Sequence, residues 1–251
     1  MDDPEENSTS SENQIESDNR LKFPIEDMRQ DGDSVQVFLL TERLKTDEVD
    51  LALGKVKRLF GDYSPIETKD LSIKLTDGRV GEGQQIGNGV IEIQLPKDEE
   101  AINEMKLALG TALQGVEENE KDAKCREIIN ATCASTVLHE GVHGLLDSKP
   151  GSKFAQAFER ISGLENEHGK DSTLLDEGIA YAVQGIFAPE IQPLGSFAPV
   201  VREGEREEVV NRKRLGEIIR PKVKEYLDFN KTIDDDFFNF AAQEMLKAEL
   251  R

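Results

Sequence analysis

Positive charge is scarce in this 251-residue chain: 31 Lys and Arg stand against 51 Asp and Glu, a net charge of −20. That excess repels phosphate backbones and anionic membrane surfaces, which argues against nucleic-acid or membrane partners and favours neutral or basic ones. The same charge also serves solubility. Cysteine is scarcer still. Cys125 and Cys133 fall eight residues apart in one predicted helix, about 12 Å between α-carbons, too far to bridge. No disulfide framework is readable, and no apolar run follows a basic N-terminus as a secretory signal requires. No stretch approaches the roughly 20 apolar residues of a membrane helix. The expectation is a soluble chain in the reducing cytoplasm, long enough for one substantial core and a small satellite domain.

Residues 1–30 are rich in acids, Ser and Asn, with few large apolar side chains, and read as a disordered acidic tail. Val35, Val37 and Leu39 then alternate as a half-buried strand requires. Val49, Leu51, Ala52, Val56, Leu59 and Phe60 recur at helical spacing behind Thr46, a candidate N-cap, with Gly61 as the stop. Leu71, Ile73 and Leu75, and again Ile91, Ile93 and Leu95, predict two more strands. Between them Gly81, Gly83, Gly87 and Gly89 precede a strand, whereas a phosphate-binding loop opens a helix; they read as a mobile hairpin. Asp98 caps a helix ending near Val116. The longest helical pattern runs from about 122 to 147 and stops at Ser148-Lys149-Pro150-Gly151. A further helix is expected over about 172–187, and after a Pro-rich stretch two more, near 205–228 and from the N-cap Thr232 onward, form a small helical cap.

The chemistry concentrates in His139-Glu140-Gly141-Val142-His143. Histidines four apart on a helix project from one face, so both imidazoles can reach one cation at about 2.0–2.1 Å. Two of only three histidines in the chain stand at that spacing. Glu140 is rotated about 100° from His139, outside the coordination shell but able to face a water beside it, where a general base belongs. Zinc would bring that water's pKa to about 7, and the carboxylate would take the proton and pass it to the leaving amine. A catalytic zinc takes three protein ligands. A metzincin continuation would need glycine at 146 and histidine at 149, which hold Leu146 and Lys149 instead. The third histidine, His168, lies in a polar, loop-like stretch.

In Leu174-Leu175-Asp176-Glu177-Gly178-Ile179-Ala180-Tyr181 the chain resembles the gluzincin metallopeptidases, the thermolysin-like and peptidase-MA-like group, in which a second helix supplies a glutamate in a Glu-Gly-x-Ala context. The resemblance covers residues 34–187 and implies Glu177 as the third zinc ligand. It also implies an α+β, zincin-like fold, a small mixed sheet whose edge strand packs on the His139 helix and a second ligand helix, to which the helical pattern beyond residue 205 adds C-terminal helices. The expected division is a tail 1–30, a catalytic domain 31–190 and a helical subdomain 191–251. Gly178 offers the close approach of two helices that clamping one ion demands. Asp147, one turn beyond His143, and Asp176 are both candidates to orient a histidine. Tyr181 stands where thermolysin-like enzymes carry an orienting acid; it either donates its hydroxyl to an oxyanion or packs in the core. The family's substrate-pairing edge strand would fall at 89–95, and an extended peptide or protein would add to it by backbone hydrogen bonds. The implied activity is zinc-dependent peptide hydrolysis with Glu140 as base. A silent zincin scaffold used for binding or regulation, and an acidic interaction domain with incidental histidines, are the competing readings.

Overall fold

The computed structural model describes residues 25–26, 46–77, 83–85, 89–95, 113–163, 170–191 and 206–250. In chain order its elements are β1 (Ile25–Glu26), α1 (Thr46–Phe60), β2 (Ser72–Asp77), β3 (Gly83–Gln85), β4 (Val90–Leu95), α2 (Lys121–Leu145), α3 (Lys153–Ser162), α4 (Lys170–Ile191), α5 (Glu207–Asp228) and α6 (Asp235–Lys247). The chain is thus α+β and mostly helical. The strand expected at Val35–Leu39, residues 98–112 of the helix expected from Asp98 to near Val116, and His168 lie outside the described residues; residues 113–115, at the expected end of that helix, form a turn.

Alternation builds the centre of the sheet. Ile73 and Ile91 are both buried and sit opposite each other where β2 and β4 run parallel, with Ile93 buried two residues on. β1 pairs parallel to β2, placing Ile25 opposite Ile73, so two residues of the stretch expected to be disordered belong to the sheet. β3 pairs antiparallel with β4, Gln84 opposite Glu92. The order is β1-β2-β4-β3. Among the described strands β1 and β3 are therefore the edges and β4, the 89–95 segment, lies inside; residues read as a hairpin loop form β3.

The helices wrap a single core. α1 has Thr46, expected as its N-cap, as its first helical residue, and ends where Gly61 takes a positive φ of 51°, a backbone state that costs glycine little. α2 lies against β3, β4 and α1, and its Gly141 makes room for Leu53, whose Cδ2 would stand 2.8 Å from a Cβ there. α2 stops at Leu146, which turns extended and donates its N–H to Val142 O. The chain then opens α3 with the Ser152 hydroxyl accepting from Ala155 N at 3.2 Å; sequence reading missed this helix. α6 is capped by Asp234, two residues beyond the expected Thr232. Leu215, Ile219 and Val223 of α5 and Phe237 and Phe238 of α6 are buried in the same core as α2 and α4, so the C-terminal helices complete that core. No helix among the described residues is long and apolar enough to cross a membrane.

Candidate metal centre

α2 turns His139 and His143 to one side, one above the other, with ring centroids 5.0 Å apart. Their Nε2 atoms are 3.3 Å apart. From α4, Glu177 brings Oε2 to 3.6 Å from Nε2 of His139 and 3.8 Å from Nε2 of His143. The point equidistant from three atoms so separated lies about 2.1 Å from each, within the bond lengths that imidazole and carboxylate make to a small divalent cation, about 2.0–2.2 Å. His139, His143 and Glu177 form a group able to hold a metal ion, the one such group among the described residues. Their side chains are 12 %, 14 % and 18 % exposed, shielded yet reachable from a cleft of about 440 Å³.

Hydrogen bonding aims the His143 ring. His143 Nδ1–H donates to Asp176 Oδ2 at 3.0 Å, which leaves Nε2 to face the site. Ser148 donates to the same oxygen at 2.7 Å. Asp176, not Asp147, is thus the partner of His143; the Asp147 carboxylate accepts from Lys149 N at 3.2 Å. Burial disfavours a charged His143, but Asp176, Glu177 and Glu140 outweigh it and push the pKa up to about 9. Burial likewise works against a charged Glu177, but His139, His143 and Arg212 overcome it and hold the carboxyl below its ordinary value. Nδ1 of His139 is buried without a hydrogen-bond partner; its ring is contacted by Tyr181, centroids 4.6 Å apart at 58°. Tyr181 is not among the residues lining the cleft.

Glu140 lines the cleft beside both histidines. Gly83, Gln84 and Gln85 of β3 form one wall and Pro65 and Ile66 another, with Leu146 to Lys149 at the end of α2. Gly83 lets the strand lie on α2: a Cβ there would fall 2.5 Å from Thr136 Cγ2. Lys57 fastens the opposite wall, its Nζ donating to Ser64 O at 3.0 Å and Ile66 O at 2.8 Å. Gly178 does face a close helix contact, but with α5 and not with the other ligand helix: a Cβ would meet Leu215 Cγ at 2.8 Å.

Arg212 and Ser148 are the partners that sequence reading missed. Ser148 sat in view, inside the stop signal of α2; nothing local marks Arg212. Comparison with family models, curated proteins and solved structures finds no match.

Proposed function

We propose that the chain is a zinc-dependent peptidase of gluzincin type, with His139, His143 and Glu177 holding the metal and Glu140 acting as general base. The observation that carries this reading is the triangle of Nε2, Nε2 and Oε2, whose edges of 3.3, 3.6 and 3.8 Å suit a single ion with an open side towards a cleft. Two imidazoles and a carboxylate with a position left for water are the ligand set of catalytic zinc. Zinc held there supplies the Lewis acidity that activates a water and polarises a peptide carbonyl.

The remaining work falls to this chain's own side chains. Glu140 takes a proton from the attacking water and returns it to the amide nitrogen as the C–N bond breaks. Asp176 keeps His143 in the Nδ1–H tautomer. The Tyr181 ring lies against that of His139, centroids 4.6 Å apart. β3 has one side paired with β4 and the other towards the cleft, so an extended peptide can add to it through backbone hydrogen bonds, and the acidic surroundings favour neutral or basic sequences.

The test has two parts. Metal analysis after zinc saturation should find about one zinc per chain, and the wild type should cleave an unfolded protein that Glu140→Gln, still loaded, leaves intact. Cleavage retained in Glu140→Gln would sink the mechanism. Zinc bound without cleavage in the wild type would turn the reading to a silent scaffold.

A further inference from the structure

Glu177 has two carboxylate oxygens, and the structure gives them different partners. Oε2 faces the histidines. Oε1 is held by Arg212 of α5, Nη1 at 2.9 Å, and the same guanidinium is anchored one turn back by Glu208 Oε1 at 2.6 Å from Nη2. The pair is shielded, with Arg212 25 % and Glu177 18 % exposed.

The packing beside the pair leaves little slack. α5 meets α4 through glycines: Gly178, next to Glu177, lies under Leu215, and Gly216, one turn from Arg212, lies against Tyr181, whose Cβ would stand 2.6 Å from a Cβ at 216. Backbones that approach this closely fix the height of Arg212 over α4. A guanidinium has a planar, rigid fork of donors, so its bond to a carboxylate sets direction as well as charge.

Resting on the metal-site reading above, we propose that Arg212 is a positioning residue that makes Glu177 a one-oxygen ligand. With Oε1 occupied by Arg212, the carboxylate cannot swing to offer both oxygens to the cation. One position stays open for water, the feature that separates a catalytic site from a closed structural one. Partners one shell out from a metal typically change affinity or activity by about 10–100-fold when removed, and Arg212 belongs to that class although it lies on a third helix.

Cobalt(II) substitution tests this without any substrate, because cobalt's visible absorption is intense in four-coordinate sites and weakens as coordination rises. Wild-type protein should show the intense spectrum. Arg212→Met should show the weakened spectrum of a site in which Glu177 binds through both oxygens. Arg212→Lys, which keeps a cation against Oε1, should restore intensity. Glu208→Gln, which loosens the anchor without touching Glu177, should fall between wild type and Arg212→Met. Thermal melting of each variant confirms that the fold is present. A full-intensity spectrum in folded Arg212→Met overturns the proposal. Failure of the wild type to bind cobalt would instead overturn the metal-site reading.

Discussion

Around His139 and His143 the side chains that meet are polar and come chiefly from three helices: His139 and His143 from α2, Asp176 and Glu177 from α4, and Arg212 from α5. Around Phe238 they are aromatic. There Tyr63, Phe154 and Phe158 meet Phe238 with centroids 5.5–6.3 Å apart, joining the end of α1 to α3 and α6. The aromatic region is held by burial, which has no preferred direction and tolerates small shifts. The polar region is held by hydrogen bonds and ion pairs with fixed partners, each of which would cost free energy if left single. One region stabilises by the amount it hides; the other specifies where a few atoms point.

The contrast can be broken by experiment, beginning with the largest effect. Phe238→Ala should destabilise the fold by about 3–5 kcal/mol, measured by urea unfolding, while the folded fraction still binds one zinc. Loss of zinc stoichiometry in folded Phe238→Ala would erase the distinction. Next in size, Asp176→Asn should weaken zinc by about 10–100-fold in a chelator competition, since the amide no longer holds the Nδ1–H of His143 as a carboxylate does. An affinity within twofold of wild type would show that the histidine needs no orienting partner.

A third test sharpens the rule that polar groups are costly away from the site. Asp50 on α1 is 7 % exposed, and one of its oxygens has no partner. Burial, with the charge of Asp47, raises its pKa to about 7. An acid whose pKa is higher folded than unfolded loses stability as pH rises through that interval. Asp50→Asn should therefore melt above wild type, with a gap that is small near pH 4, widens to about pH 7 and then stays level. A gap independent of pH would show that ionisation of Asp50 carries no cost.

What could be read from the sequence was what is local. α1, β2, β4 and α2 announce themselves through the spacing of Val49 to Phe60, Ile73, Ile91 and Ile93, and Ala134 to Leu145, and the two histidines need only one helical turn to meet. Gly83-Gln84-Gln85 has no apolar alternation, so its pairing with β4 depends on the partner strand and leaves no mark in its own residues. α3 had a mark, Phe154, Ala157, Phe158 and Ile161 at helical spacing, but it sat directly behind a strong stop signal. The choice of Asp176 over Asp147 depended on which way two side chains point from different helices. The pairing of Arg212 with Glu177, and the partner of Gly178, came only with the docking of α5.

Consider finally where the ligands fall along the chain. His143 ends the contribution of α2 and Glu177 opens that of α4, and the segment running between them contains α3, which carries Phe154 and Phe158. A cation gripped on both sides acts as a cross-link that closes this segment into a ring, restricting the unfolded chain as any staple does. It also stabilises the folded state by mass action, about 4 kcal/mol when free metal exceeds its dissociation constant a thousandfold. The aromatic region touches no ligand, yet two of its four rings, Phe154 and Phe158, are strung on the loop that the ligands would tie.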